Sequence, residues 1–307
     1  MLPMPRLARP FVVAVLAAAA LATAEATPAQ AASRHHVLQA AARYAHAHGY
    51  HVGIAIYDTK TGRVSDAGHA HGTFASESVV KVFIATRLLI EGRMHGSTAS
   101  RAYTMITRSD DAIASSLYGS VGGDSLINWV KQHYHVPDLG SPPRRAGWWG
   151  NTHITPDGLV RLYAKLKADP KVSHWLLNAM HHAKKYGSDG FYQFFGIPSA
   201  TKHAAIKQGW GTDYDDWGAS ADQNTTGFVN NDRYAVAILA RGPVRTYGHA
   251  IGAMLTHVAR MVLPGGHYPD PNPVITSMSA NHGSEFGGTR VTIHGTDFTH
   301  VHQVTFG

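Results

Sequence analysis

The sequence predicts an α+β fold: one antiparallel sheet covered by helices, with an all-helical lobe between its early and late strands. Three observations predict it. Strand-like segments stand early, at residues 51–57 and 63–69, and late, at 204–210, 225–229 and 234–240. Residues 98–190 read as helix broken by Gly and Pro clusters. Amphipathic helices open and close the arrangement, at 37–48 and 246–262, and are expected to pack together on one sheet face.

The elements follow in order. Residues 1–31 have the plan of a secretory signal peptide: Arg6 and Arg9, an uncharged stretch, and the small-x-small site Ala29-Gln30-Ala31. The mature protein is expected to be secreted or cell-wall associated, cut near Ala31, with no later membrane span. Val37, Leu38, Ala41, Ala42 and Ala45 share one face of the first helix, and Gly49 ends it. The strand at 51–57 turns through Asp58-Thr59-Lys60-Thr61-Gly62 and returns at 63–69 as a hairpin. An apolar helix runs from about Ser78 to Ile90. Further helices are predicted at 112–118 and 124–133, then a loop at 136–152 rich in Gly, Pro and Trp. Thr155 caps a helix to Leu166 with Pro156 at its first position. Asn230-Asn231-Asp232 turns between the last two strands of the sheet. Residues 263–273 are a linker by composition, and 274–279, 287–295 and 304–307 read as three short strands.

Composition narrows the function. At 307 residues and 44% hydrophobic, the chain can stabilise its fold through its core alone. It has no cysteine, which excludes disulfides, thiolate metal sites and thiol nucleophiles. The formal charge of +7 loses two positives and one negative with residues 1–31, leaving about +6. Its basic residues are dispersed, which reads as weak attraction to anionic wall polymer rather than a nucleic-acid footprint. The 22 histidines show no metallohydrolase spacing, so no metal and no cofactor is expected.

Ser78-Val79-Val80-Lys81 is the most informative stretch. Residues three apart share a helix face, so the Lys81 amine falls beside the Ser78 hydroxyl. A lysine desolvated in a cleft can take the serine proton, and the helix N-terminus favours the alkoxide. Ser199-Ala200-Thr201-Lys202 matches the same pattern but has no long apolar helix behind it. Two sites follow downstream: Ser109-Asp110-Asp111, and Lys207-Gln208-Gly209-Trp210 at the end of a strand-like segment. Lys60-Thr61-Gly62 also has a matching form, but it lies upstream of Ser78 in a turn.

Together the three sites resemble the Ser-x-x-Lys, Ser-x-Asn and Lys-Thr-Gly motifs of the serine β-lactamases and penicillin-binding proteins. The resemblance covers about residues 36–262 and is closest to the class A β-lactamases. It implies a β-lactamase/transpeptidase-like fold and a secreted serine hydrolase, acting on β-lactams or D-alanyl peptidoglycan peptides through an acyl-enzyme. Ser78 would be the nucleophile and Lys81 its base. Ser109 would pass a proton to the leaving nitrogen, Asp111 would hold Lys81, and Lys207 would supply positive potential. Backbone N–H groups of Ser78 and Trp210 would form the oxyanion hole, Gly209 would let substrate lie against the strand edge, and Gln208 would donate its amide to the substrate.

Three departures bear on the chemistry. Asp111 replaces an asparagine and is expected to raise the Lys81 pKa, weakening it as a base unless Lys207 competes for the carboxylate. Gln208 replaces a hydroxyl residue. No glutamate occurs between Glu91 and Glu285, where the class A enzymes carry a loop glutamate that activates the deacylating water. Asp138 lies in roughly that loop with a shorter side chain. Acylation is therefore expected to outrun release, as in a penicillin-binding D,D-peptidase or a slow lactamase. The alternative is a catalytically silent cell-wall-binding module. The segment from Pro273, with Gly287-Gly288-Thr289-Arg290-Val291-Thr292-Ile293-His294-Gly295, resembles the first part of an IPT/TIG domain, an Ig-like sandwich. Its 35 residues are too few to close a sandwich core. A monomer is expected.

Overall fold

The computed structural model describes residues 28–215, 218–269, 274–280, 288 and 290–296. The chain divides into two units, residues 28–271 and a second that contains 272–307. In the first, helix α1 (Pro28–Ala47) leads into the hairpin β1 (His51–Asp58) and β2 (Val64–Gly68). Helix α1 starts well before the expected residue 37 and takes in the proposed cleavage site at 29–31; the rest of the expected signal segment lies outside the described residues. A short strand β3 (Phe74–Ala75) and a single 3₁₀ turn (Glu77–Val80) precede α2 (Lys81–Ile90).

The helical lobe holds α2, α3 (Gly96–Thr107), α4 (Asp111–Tyr118) and α5 (Leu126–His133). It continues after the two-residue strands β4 (Gly140–Ser141) and β5 (His153–Ile154) with α6 (Pro156–Ala168) and α7 (Ser173–His181). Helix α8 (Ile197–Ala200) leads into β6 (Ala205–Asp215), β7 (Gly218–Val229) and β8 (Tyr234–Pro243), and α9 (His249–Val262) closes the unit. The five-stranded sheet runs β2-β1-β8-β7-β6, antiparallel at every pair, so β6 is an edge strand. The small sheet β3-β5-β4 ties the segment before Ser78 to the 136–152 loop.

The two faces of the main sheet bury two cores. Tyr234, Val236, Ile238 and Ala240 of β8 face α1 and α9, while Ala235, Ala237 and Leu239 face the helical lobe. This double burial explains why 234–240 reads as a continuous apolar run. The first and last helices do pack together, with Tyr44 stacked on His257 at 4.0 Å between ring centroids. In the lobe, α2 is central: Val82, Phe83, Ile84, Ala85 and Leu88 are fully buried. Thr155 accepts from the Gly158 N–H (3.0 Å) and Pro156 sits at the first helical position, as the sequence predicts for α6. The Asn230-Asn231-Asp232 turn carries all three residues at positive φ (52°, 53° and 62°), which these side chains tolerate better than most.

In the second unit, β9 (Val274–Met278) pairs antiparallel with β10 (Ile293–Thr296), with a bulge between His294 and Gly295. The expected strand at 287–295 is thus shorter and begins later, and the one at 304–307 lies outside the described residues.

Candidate active site

The segment Ser76–Lys81 is fixed from three directions. The Ser76 N–H donates to Thr152 O (2.7 Å), and the Asn224 side-chain amide on β7 donates to Ala75 O (2.8 Å) and Ser76 O (3.2 Å). Glu77 takes a left-handed conformation, φ +48°, which a non-glycine residue adopts only when its surroundings hold it there. The chain thereby turns sharply enough to begin the 3₁₀ turn with Ser78 on its first coil. One turn later Lys81 opens α2 on the same face, and its Nζ lies 2.6 Å from Ser78 Oγ. Both residues are buried.

Lys81 Nζ also reaches Ser109 O (2.8 Å), Ser109 Oγ (3.3 Å) and Asp111 Oδ1 (2.5 Å). Ser109 offers its carbonyl because it too has a positive φ, +56°, just before α4. Asp110 caps α4 by accepting from the Ile113 N–H (2.9 Å), which places Asp111 in the first helical turn facing Lys81. From the sheet side, Lys207 Nζ donates to Ser109 Oγ (2.8 Å) and to Gln208 O (2.9 Å). One hydroxyl, Ser109, thus stands between the two buried lysines. The three sequence motifs meet in one place.

Burial pushes Lys81 below the usual lysine range, and the nearby Asp111 carboxylate does not offset it. Asp111 does raise the Lys81 pKa, as the sequence predicts, but the enclosure of Lys81 outweighs a carboxylate whose side chain is 65% exposed. Lys207 is pushed well below the usual range, by burial first and by the neighbouring Lys81 second. A tryptophan completes the enclosure: the Trp149 ring centroid lies 4.8 Å from Lys81 Nζ, and its indole N–H donates to Ser115 Oγ on α4 (3.0 Å).

The last motif divides by strand alternation. Lys207 and Gly209 face the Ser78 turn; Gln208 and Trp210 face the other way. Gln208 therefore does not present its amide to substrate. Its Nε2 donates to Phe195 O (2.7 Å) and Gln193 O (3.1 Å), which corrects the expected substrate-binding role. A Cβ at Gly209 would lie 2.8 Å from Ser76 O and 3.0 Å from Glu77 Cβ, so glycine there lets β6 pack on the Ser78 turn. The Trp210 indole donates to Asp189 Oδ2 (2.9 Å) and stacks on Phe191 at 4.6 Å, which fixes the backbone of β6 beside Ser78. Asp138 is exposed and borders a cleft of about 640 Å³ with Tyr57, Thr59 and Arg161, apart from the serine–lysine cluster.

Solved structures share this arrangement of elements. A class A β-lactamase variant reconstructed as the last common ancestor of Gram-negative bacteria superposes with TM-score 0.57 at 16% identity, over 74% of this chain and 97% of that one. A β-lactamase from Streptosporangium roseum gives 0.56 at 14%, over 74% and 96%, and PBP-A gives 0.56 at 18%, over 74% and 94%. The chain has the class A β-lactamase and PBP-A fold. A mutant of PBP-A, with the same fold, is known as an acyl-enzyme complex with penicillin G.

Among sequences, the chain is 27% identical over 231 residues to LppW, a lipoprotein by name, of Mycobacterium tuberculosis and Mycobacterium bovis, covering 71% of each protein. The IPT/TIG domain family matches residues 273–307. Within the β-lactamase-type unit, two residues of the site were not read from the sequence. Glu77 is one of the Ser-Glu-Ser triplet at the nucleophile and has no periodic signal of its own. Trp149 stands in the loop rich in Gly, Pro and Trp, and nothing in its local sequence points to Lys81.

Proposed function

We propose that the chain is a serine acyl-transfer hydrolase that forms an acyl-enzyme at Ser78 with β-lactams or D-alanyl peptides. The observation that carries this is the 2.6 Å contact between Ser78 Oγ and the Nζ of a wholly buried lysine. Burial favours neutral Lys81, the form able to accept a proton. Ser78 Oγ attacks the carbonyl carbon as its proton passes to Lys81 Nζ. The carbonyl π pair becomes the oxyanion, facing the N–H groups of Ser78 and Trp210. Collapse restores the carbonyl and breaks the C–N bond, while a proton reaches the leaving nitrogen through Ser109, which is hydrogen-bonded to both lysines. Lys207 contributes positive potential when protonated.

Release is the slow half. Asp138 is exposed and lines a cleft that includes none of the serine–lysine cluster, and the Trp149 ring covers Lys81. The acyl-enzyme is therefore long-lived, the behaviour of a penicillin-binding peptidase or slow lactamase. A secreted or envelope location fits both this substrate class and the lipoprotein relatives. The second reading, a silent wall-binding module, draws on the Gln208 amide being committed to backbone carbonyls, which leaves no side-chain donor from that position for a substrate carboxylate.

The test is intact-protein mass during incubation with penicillin G, for the wild type and Ser78→Ala. A persistent adduct in the wild type and none in the variant is the expected result. Equal adduct in both removes the nucleophile assignment, and no adduct in either favours the wall-binding module.

A further inference from the structure

The residue before the nucleophile is a buried acid that the proposed reaction does not use. Glu77 is 8% exposed, and its Oε1 has no hydrogen-bond partner among the described residues. Its left-handed backbone sends the side chain along the inner face of β6. A Cβ built at Gly209 would lie 3.0 Å from Glu77 Cβ, and one at Gly211 would lie 2.1 Å from Glu77 Oε2. The side chain therefore spans the two residues that flank Trp210. On the loop side, a Cβ at Gly150 would lie 3.1 Å from the same Oε2. Gly209 makes room for the stem of this one side chain, and Gly211 on the strand and Gly150 on the loop make room for its carboxyl group. That group lies one residue from Ser78 and runs beneath Trp210, the two residues whose N–H groups face the oxyanion.

The surroundings do not suit a second negative charge. From β6 comes Asp213, which accepts from Asn151 (2.5 Å) and is paired with His153 (3.0 Å). From β7 comes Asp222, beside Arg241 of β8 (3.6 Å). Lys81 of α2 attracts the charge and Asp111 of α4 repels it. Tyr247, just after β8, also feels the Glu77 charge. Burial first, then Asp222 and Asp213, hold the Glu77 carboxyl well above the ordinary glutamate range.

We infer that Glu77 is a positioning residue for the oxyanion hole: its side chain braces the backbone of Ser78 and Trp210, and only its uncharged form is compatible with the negative charge the attacked carbonyl develops beside it. This rests on the acyl-enzyme reading above and deepens it. Loss of the Glu77 proton places a carboxylate behind the hole, so acylation falls on the alkaline side as Glu77 ionises.

The experiment compares wild type with Glu77→Gln, the uncharged isostere. Two readouts are followed against pH: the rate of penicillin adduct formation and the melting temperature. Stability that depends on a raised acid is full at low pH and is lost as pH rises from the ordinary glutamate value through the folded one. The wild type is therefore expected to lose melting temperature relative to Glu77→Gln across that window. Its adduct rate is expected to match the variant at acid pH and to fall behind it by about tenfold per pH unit above the Glu77 titration. Superimposable rate profiles overturn the inference, as does a uniform loss of rate in Glu77→Gln, which would mean that the carboxylate itself is required. An absent melting difference overturns it whatever the rates do. If neither protein forms an adduct, the catalytic half falls together with the acyl-enzyme reading, and a persisting melting difference identifies that reading as the cause.

Discussion

At the scale of residues, the site holds ionisable groups where water cannot reach them. Two lysines and one glutamate lie buried around Ser78 and Ser109, and burial is the first cause of shift for each. Buried ionisable groups are costly, so this arrangement trades stability for reactivity. Lys207→Met should make the cost visible. The lysine is held below its ordinary value of 10.5, so the fold is at full stability only above that value and loses stability as pH falls through the folded pKa. Methionine removes that loss. The variant should gain about 1–2 kcal/mol at neutral pH, with the gain vanishing at strongly alkaline pH. Its adduct rate should drop by about 100-fold or more, because Ser109 loses the hydrogen bond from Lys207 that positions its hydroxyl. Urea melts at two pH values, read beside intact mass, check both; a variant no more stable than the wild type at neutral pH would contradict the burial argument.

At the scale of elements, the site is built where short segments end. Ser78 stands at the junction of a 3₁₀ turn with α2, Ser109 before α4, and Lys207 on an edge strand. The loop 136–152 is anchored to α6 through Thr155, whose hydroxyl donates to Asp138 O (2.7 Å) while capping the helix. Thr155→Ala should cost about 1–2 kcal/mol in denaturant unfolding and leave the adduct rate unchanged. A matching fall in adduct rate would show that the cap also positions the site. Much of this was legible in the chain. The long apolar strands, the Pro156 helix start and the three motifs announce themselves because each is a local pattern. The two-residue strands β3, β4 and β5 do not, since two residues carry no periodicity. The direction of Gln208 was available: alternation from Lys207 puts it on the opposite face. The depressed Lys81 was not, because the balance between Asp111 and burial depends on exposure that only packing determines.

At the scale of the molecule, one sheet buried on both faces carries the site at its edge. Every residue of the serine–lysine cluster lies in the unit spanning residues 28–271. A chain ending at Pro271 should therefore form the penicillin adduct at the full-length rate with an unchanged melting temperature for that unit. A slower rate at equal stability would assign residues 272–307 a part in the chemistry. The fit of Glu77 against Gly211 reaches further, into how this sequence can change. A methyl group at 211 would overlap a carboxylate oxygen, while a shorter side chain at 77 would open the space for it. The two positions are thus coupled: a larger residue at 211 fits with least rearrangement beside a shorter residue 77, and otherwise the end of the Glu77 side chain has to move.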